Sequence, residues 1–313
     1  MRLKATGAGP AGYTALVAVV LALAVAGLLV AGRGLDSDGL LADGDASGHY
    51  KEPARAGDAA ADAMRSVVHS APPKPLEAAQ TDAAAGTRTD GLTPSKPLVA
   101  SDMPSSPAVG PLFYTGQGEV GHGCTASVVH SDRGDLIATA AHCVHQGGFR
   151  TDITFVPGYH DGVAPYGVWV PTAVDIDPAW AEDRDPDHDV AFLRVRPVDG
   201  SGPIERVTGA ERIRFGAPAR QPVRVLGYPS GAERTVGCQN STVAESATQL
   251  RFDCEGLPNG TSGSPFLADV DATTGLGTLV GVLGGKDEGG DDETSYAAYF
   301  GAAAEHLYRR ATG

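Results

Sequence analysis

Three short stretches carry side chains that could act together. In LIATAAHCV a strand-like run ends in small residues and presents His142 beside Cys143. An imidazole titrates near neutral pH, so a histidine held in one orientation can take up a proton and return it. In DPDHDVAFLRV, Asp189 stands at the mouth of the apolar run VAFLRV. A carboxylate there can be buried against an imidazole, fix its tautomer and stabilise the imidazolium. Its neighbours Glu182, Asp183, Asp185 and Asp187 read as solvated loop acids. In NGTSGSPF, glycines on either side of Ser262 permit the tight turn that exposes a hydroxyl and aims backbone N–H groups at one point. The N–H groups of Gly260 and Ser262 would hold a developing oxyanion. Ser264 lacks the preceding glycine pair, which leaves Ser262 as the candidate nucleophile. Singly, each stretch has an ordinary reading: the chain has nine histidines, and Gly, Ser, Thr and Asn are common loop residues.

The elements that must position these residues are short. After Gly110 come runs such as CTASVVHS, TDITFVPG, GVWVPTAV, PVRVLGYP and GTLVGVLGG, separated by Gly, Pro or Asp. This pattern predicts an all-β barrel or sandwich. Sustained helical periodicity is confined to AAAEHLYRR at the C-terminus. Cys124, Cys143, Cys238 and Cys254 all lie in this region, and none forms a CxxC pair. In an exported chain their even number favours two disulfides over a metal site. Sequence order makes Cys124–Cys143 and Cys238–Cys254 the simplest of three connectivities. The net charge of −14 disfavours a nucleic-acid partner.

The first 110 residues differ. Arg2 and Lys4 precede an uncharged apolar run from Thr14 to Ala31. Residues 1–32 are expected to be a cleaved secretory signal or an uncleaved membrane anchor, with the remainder exported. Residues 33–109 are rich in Ala, Gly, Pro, Ser and Asp, with Tyr50 the sole aromatic residue. They are expected to form a disordered tether or pro-segment, with at most a short helix near Asp58 to Val68 lacking a core of its own. The folded domain is expected over 110–313.

TAAHC, DVAFLRV and GTSGSP, in the order His, Asp, Ser, resemble the trypsin/chymotrypsin-like serine peptidases, and the resemblance covers about two-thirds of the chain. It implies two antiparallel β-barrels with the active site between them, ending in a short C-terminal helix. It also implies an endopeptidase without cofactor or metal, a monomer acting on protein or peptide substrates. His142 matches the family's general base, Asp189 its orienting acid and Ser262 its nucleophile. Cys124–Cys143 matches the disulfide beside the catalytic histidine. Thr261 stands where most animal members have the Asp that pairs with a liberated N-terminus, and no R-I-V-G-G-like start is present. The chain looks closer to the bacterial branch that includes the glutamyl endopeptidases. Leu283, however, occupies the place of their specificity histidine, and Gly256 the place of trypsin's pocket aspartate. CEGLPN and LVGVLGGKDEGGDDE are expected to wall the primary pocket.

An esterase of the α/β-hydrolase type would need Gly-x-Ser-x-Gly and the order Ser, Asp, His; here the fifth position is Ser264, and the histidine after Ser262 is His306, within the helical run at the C-terminus. His142 and His145 lack the intervening Glu of a zinc-protease helix, and EDRDPDHD lacks the Gly and terminal Glu of an EF-hand loop. The non-enzymatic alternative is an inactive protease fold serving as a binding module. Such homologues usually lose a triad residue, and all three are present here.

Overall fold

The computed structural model describes residues 41–70, 91–116 and 120–313. Six antiparallel strands form the first barrel: β1 (Val109–Tyr114), β2 (Gly121–Val129), β3 (Leu136–Thr139), β4 (Ile153–Phe155), β5 (Trp169–Ile176) and β6 (Ala191–Pro197). They follow the order β6-β3-β2-β1-β4-β5, and pairing of β5 with β6 closes the ring. A second set comprises β7 (Pro222–Gly227), β8 (Val236–Ser241), β9 (Gln249–Asp253), β10 (Pro265–Ala268), β11 (Thr278–Val282) and β12 (Thr294–Ala298). Here β8-β7-β10-β11 form one run and β9-β12 another, joined by a bridge between Leu283 and Ala297. Between β8 and β9 the ring is completed by the Cys238–Cys254 disulfide and by Asn240 Nδ2 donating to the Asp253 carbonyl at 2.8 Å. The expected double-barrel architecture and the C-terminal helix, Ala302–Thr312, are both present.

The unbroken apolar run of β3 has a structural cause. Alternate strand side chains point to opposite faces, so Ile137 enters the first barrel while Leu136 and Ala138 leave it. Those two meet Leu267, Leu279, Val282 and Phe300, a separate core between the barrels that also receives Leu307 from the C-terminal helix. Both faces of β3 are therefore buried, and no polar alternation survives.

The disordered reading of 33–109 needs correction for the part described. His49–Lys51 adds a strand to β5, Ser101–Asp102 pairs with β8, and Ala54–Met64 is a helix. The helix buries Gly57, Ala60, Ala61 and Met64, and Arg196 is ion-paired with its Asp58. Tyr50 stacks on Phe149 with ring centroids 5.3 Å apart. Small side chains at helical spacing cannot build a core alone, but they allow close approach to one already formed. The barrel strands supply that core. Residues 33–40 and 71–90 of the expected tether, and the whole apolar run from 14 to 31, lie outside the described residues. Among the described residues no helix is long and apolar enough to cross a membrane.

Candidate active site

Register brings the first two candidates together. In the antiparallel pair β3–β6, Thr139 lies opposite Ala191. The turn after Thr139 and the turn before Ala191 therefore emerge at the same end of the barrel, one carrying His142 and the other Asp189. Asp189 is fully buried, and its carboxylate accepts three hydrogen bonds. His142 Nδ1 donates at 2.7 Å, the His142 backbone N–H at 2.9 Å and the Gly285 N–H at 2.8 Å. A carboxylate facing Nδ1 places the proton on that nitrogen and leaves the Nε2 lone pair free. Trp180 packs beside the imidazole, centroid to centroid 6.4 Å. Burial opposes the imidazolium, but the charge and hydrogen bond of Asp189 outweigh it. Glu288 acts in the same direction and Arg184 against it, so the His142 pKa is raised above the ordinary imidazole value.

The Ser262 turn is locked against the same barrel end. Gly263 has φ +81°, and a Cβ there would come within 2.1 Å of Thr139 Oγ1 and 2.2 Å of the Thr125 carbonyl. Only glycine permits this approach to the strand that leads into His142. Gly260 has φ +98°, and a Cβ there would lie 2.2 Å from the Ser230 nitrogen. Ser262 is half-buried, and its Oγ has no hydrogen-bond partner among the described residues. Ser264 is fully buried, with its Oγ packed under Gly227.

Four consecutive carbonyls of this turn are tied. Asn259 O accepts from Ser230 N–H at 2.8 Å, Gly260 O from Thr125 Oγ1 at 3.0 Å, Thr261 O from Ser264 N–H at 2.9 Å and Ser262 O from Thr125 N–H at 2.7 Å. In a planar trans peptide the N–H points opposite to the carbonyl. Tying Asn259 O and Thr261 O thus turns the N–H groups of Gly260 and Ser262 to the other side. Among the described residues neither N–H has a partner. Two donors with nothing competing for them are what an oxyanion requires. Thr261 is buried and its hydroxyl donates to the Pro258 carbonyl at 2.7 Å.

Cys124 and Cys143 are joined, as are Cys238 and Cys254. The first bond ties β2 to the residue following His142. The cluster of His142 with these two sulfurs therefore offers no thiolate to a metal. Two of the acids before Asp189 serve local structure: Asp185 Oδ1 accepts from Asp187 N–H, and Asp187 Oδ1 from Gln249 Nε2.

Beside Ser262 lies a cleft of about 80 Å³ walled by both expected segments, Leu257–Asn259 from one and Leu283 with Glu288–Asp292 from the other. Its charged lining is acidic. Lys286 is turned away, its Nζ 2.7 Å from Glu245 Oε1 and 4.6 Å from the Tyr296 ring centroid. Gly256 is not part of the lining; it packs against Val99 and Ala100.

Sequence reasoning missed Gly285, Ser230 and Thr125. Two of these act through the backbone, which leaves no mark on side-chain patterns. Thr125 carried one faint signal, a hydroxyl next to a disulfide cysteine inside an apolar strand.

The chain matches the trypsin-like peptidase domain family over residues 124–282. Among solved structures it is similar to protease Anisep from Arthrobacter nicotinovorans, with a TM-score of 0.60 and 24% identity, covering 68% of this chain and 99% of that one. It is also similar to the thermostable serine protease AL20 from an extremophilic microorganism, with a TM-score of 0.58 and 28% identity over 66% of this chain and 97% of the other. A Glu endopeptidase shares the fold at a TM-score of 0.52 and 19% identity, over 71% and 97%. No curated protein matches the chain.

Proposed function

The chain belongs to the trypsin-like peptidase domain family, and from that premise we propose that it hydrolyses peptide bonds as an exported serine endopeptidase through Ser262, His142 and Asp189. Ser262 Oγ attacks the scissile carbonyl carbon while its proton passes to His142 Nε2. The carbonyl oxygen becomes an oxyanion held by the N–H groups of Gly260 and Ser262. Collapse breaks the C–N bond, with the leaving amine taking the proton from Nε2, and an acyl-enzyme remains. Water then attacks the ester by the same route, returning Ser262 Oγ–H. Asp189 holds the imidazole through Nδ1 and offsets the charge it gains.

The observation that carries this reading is the pair of unpartnered N–H groups beside Ser262, set by carbonyls tied on the opposite face. An inactive binding module has no need to keep two backbone donors free beside the serine. Export is supported by the two disulfides and by the basic-then-apolar N-terminus. Glu288, Asp291 and Asp292 around the cleft, with Lys286 held elsewhere, favour a neutral or cationic substrate side chain over a carboxylate. The preference named for the Glu endopeptidase is therefore not carried over.

The test is labelling with a fluorophosphonate together with turnover of a mixed peptide library. Wild-type protein and Ser264→Ala should both be labelled and active. Ser262→Ala should be unlabelled, with turnover lower by about a thousandfold or more. Turnover that survives Ser262→Ala, or labelling at another residue, refutes the assignment.

A further inference from the structure

The turn that presents the oxyanion donors begins at a glycine with positive φ, a backbone able to rotate. Something outside the turn must therefore fix its peptide planes. The tied carbonyls identify what does so. Asn259 O and Thr261 O are held from within the second barrel, by Ser230 and Ser264. The two alternating with them, Gly260 O and Ser262 O, are held by a single residue of the first barrel, Thr125 in β2.

We infer that Thr125 is the positioning residue of the oxyanion turn: its hydroxyl clamps the Gly260 carbonyl and its backbone N–H clamps the Ser262 carbonyl, which fixes the peptide plane between the two donor planes and the plane that follows them. The inference rests on the proposed role of Ser262 as nucleophile. Thr125 is fully buried and does not reach the cleft. Its hydroxyl has one proton, and the Tyr228 N–H donates to the same oxygen at 2.9 Å. With that side occupied, the proton is directed to Gly260 O, 135 positions along the chain. The Thr125 carbonyl accepts from Thr139 Oγ1 at 2.8 Å, so the clamp itself is braced by the strand that leads to His142. The next residue back, Cys124, is fixed to Cys143. One short stretch of β2 thus sets the position of the oxyanion turn relative to the imidazole.

Losing the hydroxyl leaves the Gly260–Thr261 peptide, which links the two donor planes, held only by its Thr261 N–H on the Pro258 carbonyl at 3.1 Å. A shift of that plane would turn the Asn259–Gly260 and Thr261–Ser262 planes on either side of it, which carry the two oxyanion donors. A displaced catalytic group of this kind costs on the order of a hundredfold in rate. The effect falls on the transition state, because the cleft that binds the substrate side chain is untouched.

The experiment compares wild type, Thr125→Val and Thr125→Ser for kcat, KM, inhibition by a peptide aldehyde and melting temperature. Thr125→Val keeps the shape and removes the donor, and kcat should fall about tenfold to a hundredfold with KM within about threefold. Aldehyde affinity should fall in proportion to kcat/KM, since the hemiacetal oxyanion uses the same donors. The pH midpoint of activity, which belongs to His142, should not move. Thr125→Ser should recover kcat to within about threefold of wild type. If Thr125→Val does not fold, Thr125→Ala is read in its place. A wild-type kcat in the folded Val or Ala variant overturns the inference. So do equal losses in the Ser and Val variants, or failure of both Val and Ala to fold beside a normal Ser variant; the last would make Thr125 a folding residue only. Wild-type protein that is neither labelled at Ser262 nor active would instead refute the nucleophile assignment, whatever the Thr125 variants do.

Discussion

The chemistry of single residues here is set by what each cannot do elsewhere. Ser264 is as close to the glycines as Ser262, yet its Oγ is sealed beneath Gly227 and reaches no substrate. His142 is nearly buried and would lose its proton easily were Asp189 absent; with it, the pKa rises. The base works only when neutral, so activity should climb as pH rises through the His142 pKa. Because that pKa is raised, the midpoint should lie above the ordinary imidazole value of about 6.5. Measuring kcat/KM against pH checks this, and a midpoint at or below 6.5 would contradict the Asp189 pairing. In Asp189→Asn the midpoint should fall and the rate should drop by orders of magnitude, since the amide cannot hold the same tautomer. As candidates, His142, Asp189, Gly260 and Ser262 were legible because glycines and reactive side chains leave a pattern in sequence. Thr125 and the Gly285 N–H were not: a buried hydroxyl and a backbone amide acquire their roles only from partners 135 and 96 positions away.

Among the elements, the connection between the barrels holds a group whose behaviour follows from burial. Glu211 bonds through its backbone to Val128 and His130 of the first barrel, and its fully buried carboxyl accepts from the Gly277 N–H at the start of β11. Burial pushes its pKa up to about 8, with the Gly277 hydrogen bond and Arg224 acting the other way. Glu52, the buried residue that follows the His49–Lys51 strand, is likewise pushed up to about 8, chiefly by burial. A carboxyl whose pKa is higher folded than unfolded holds a proton in the native state that the unfolded chain has released. Its stabilising effect is complete below the unfolded value and is lost as pH rises through about 8. Glu211→Gln mimics the protonated acid, so its melting temperature should match wild type near pH 5 and exceed it by several degrees near pH 9. A variant less stable by the same amount at every pH would mean that the carboxylate is ionised in the fold and is paired with Arg224. The short alternating strands made the two barrels legible in sequence. A short helix near Asp58 was legible, but its place on the barrel was not, because Gly57 and Met64 become a packing face only against residues such as Val170 and Phe113, far along the chain.

At the scale of the whole molecule, the question is what the N-terminal region contributes to an active turn. Peptidases that require a liberated N-terminus use its ammonium to pair with an acid beside the nucleophile. Here that place is held by Thr261, buried and bonded to Pro258, and the turn is fixed by Thr125, Ser230 and Ser264. The segment before β1 acts instead through packing. It contributes Tyr50, Met64 and Val68 to buried clusters, pairs with β5 and β8, and accepts Thr235 Oγ1 at the Met103 carbonyl at 2.6 Å. Losing one buried methionine side chain alone costs about 2–5 kcal/mol. Stability and catalysis should therefore separate. A chain beginning at Pro107 should melt well below one beginning at Leu41. At a temperature where near-ultraviolet dichroism shows both folded, their kcat values should agree within about threefold. Acetylating the N-terminus of either, or adding one residue to it, should change neither kcat nor melting temperature. A peptidase dependent on an N-terminal ion pair would lose about a hundredfold or more in kcat on acetylation, because its oxyanion donors would fall out of line. That loss, seen in folded protein, would show that the hydroxyl and backbone ties around Gly260 do not suffice to hold the turn.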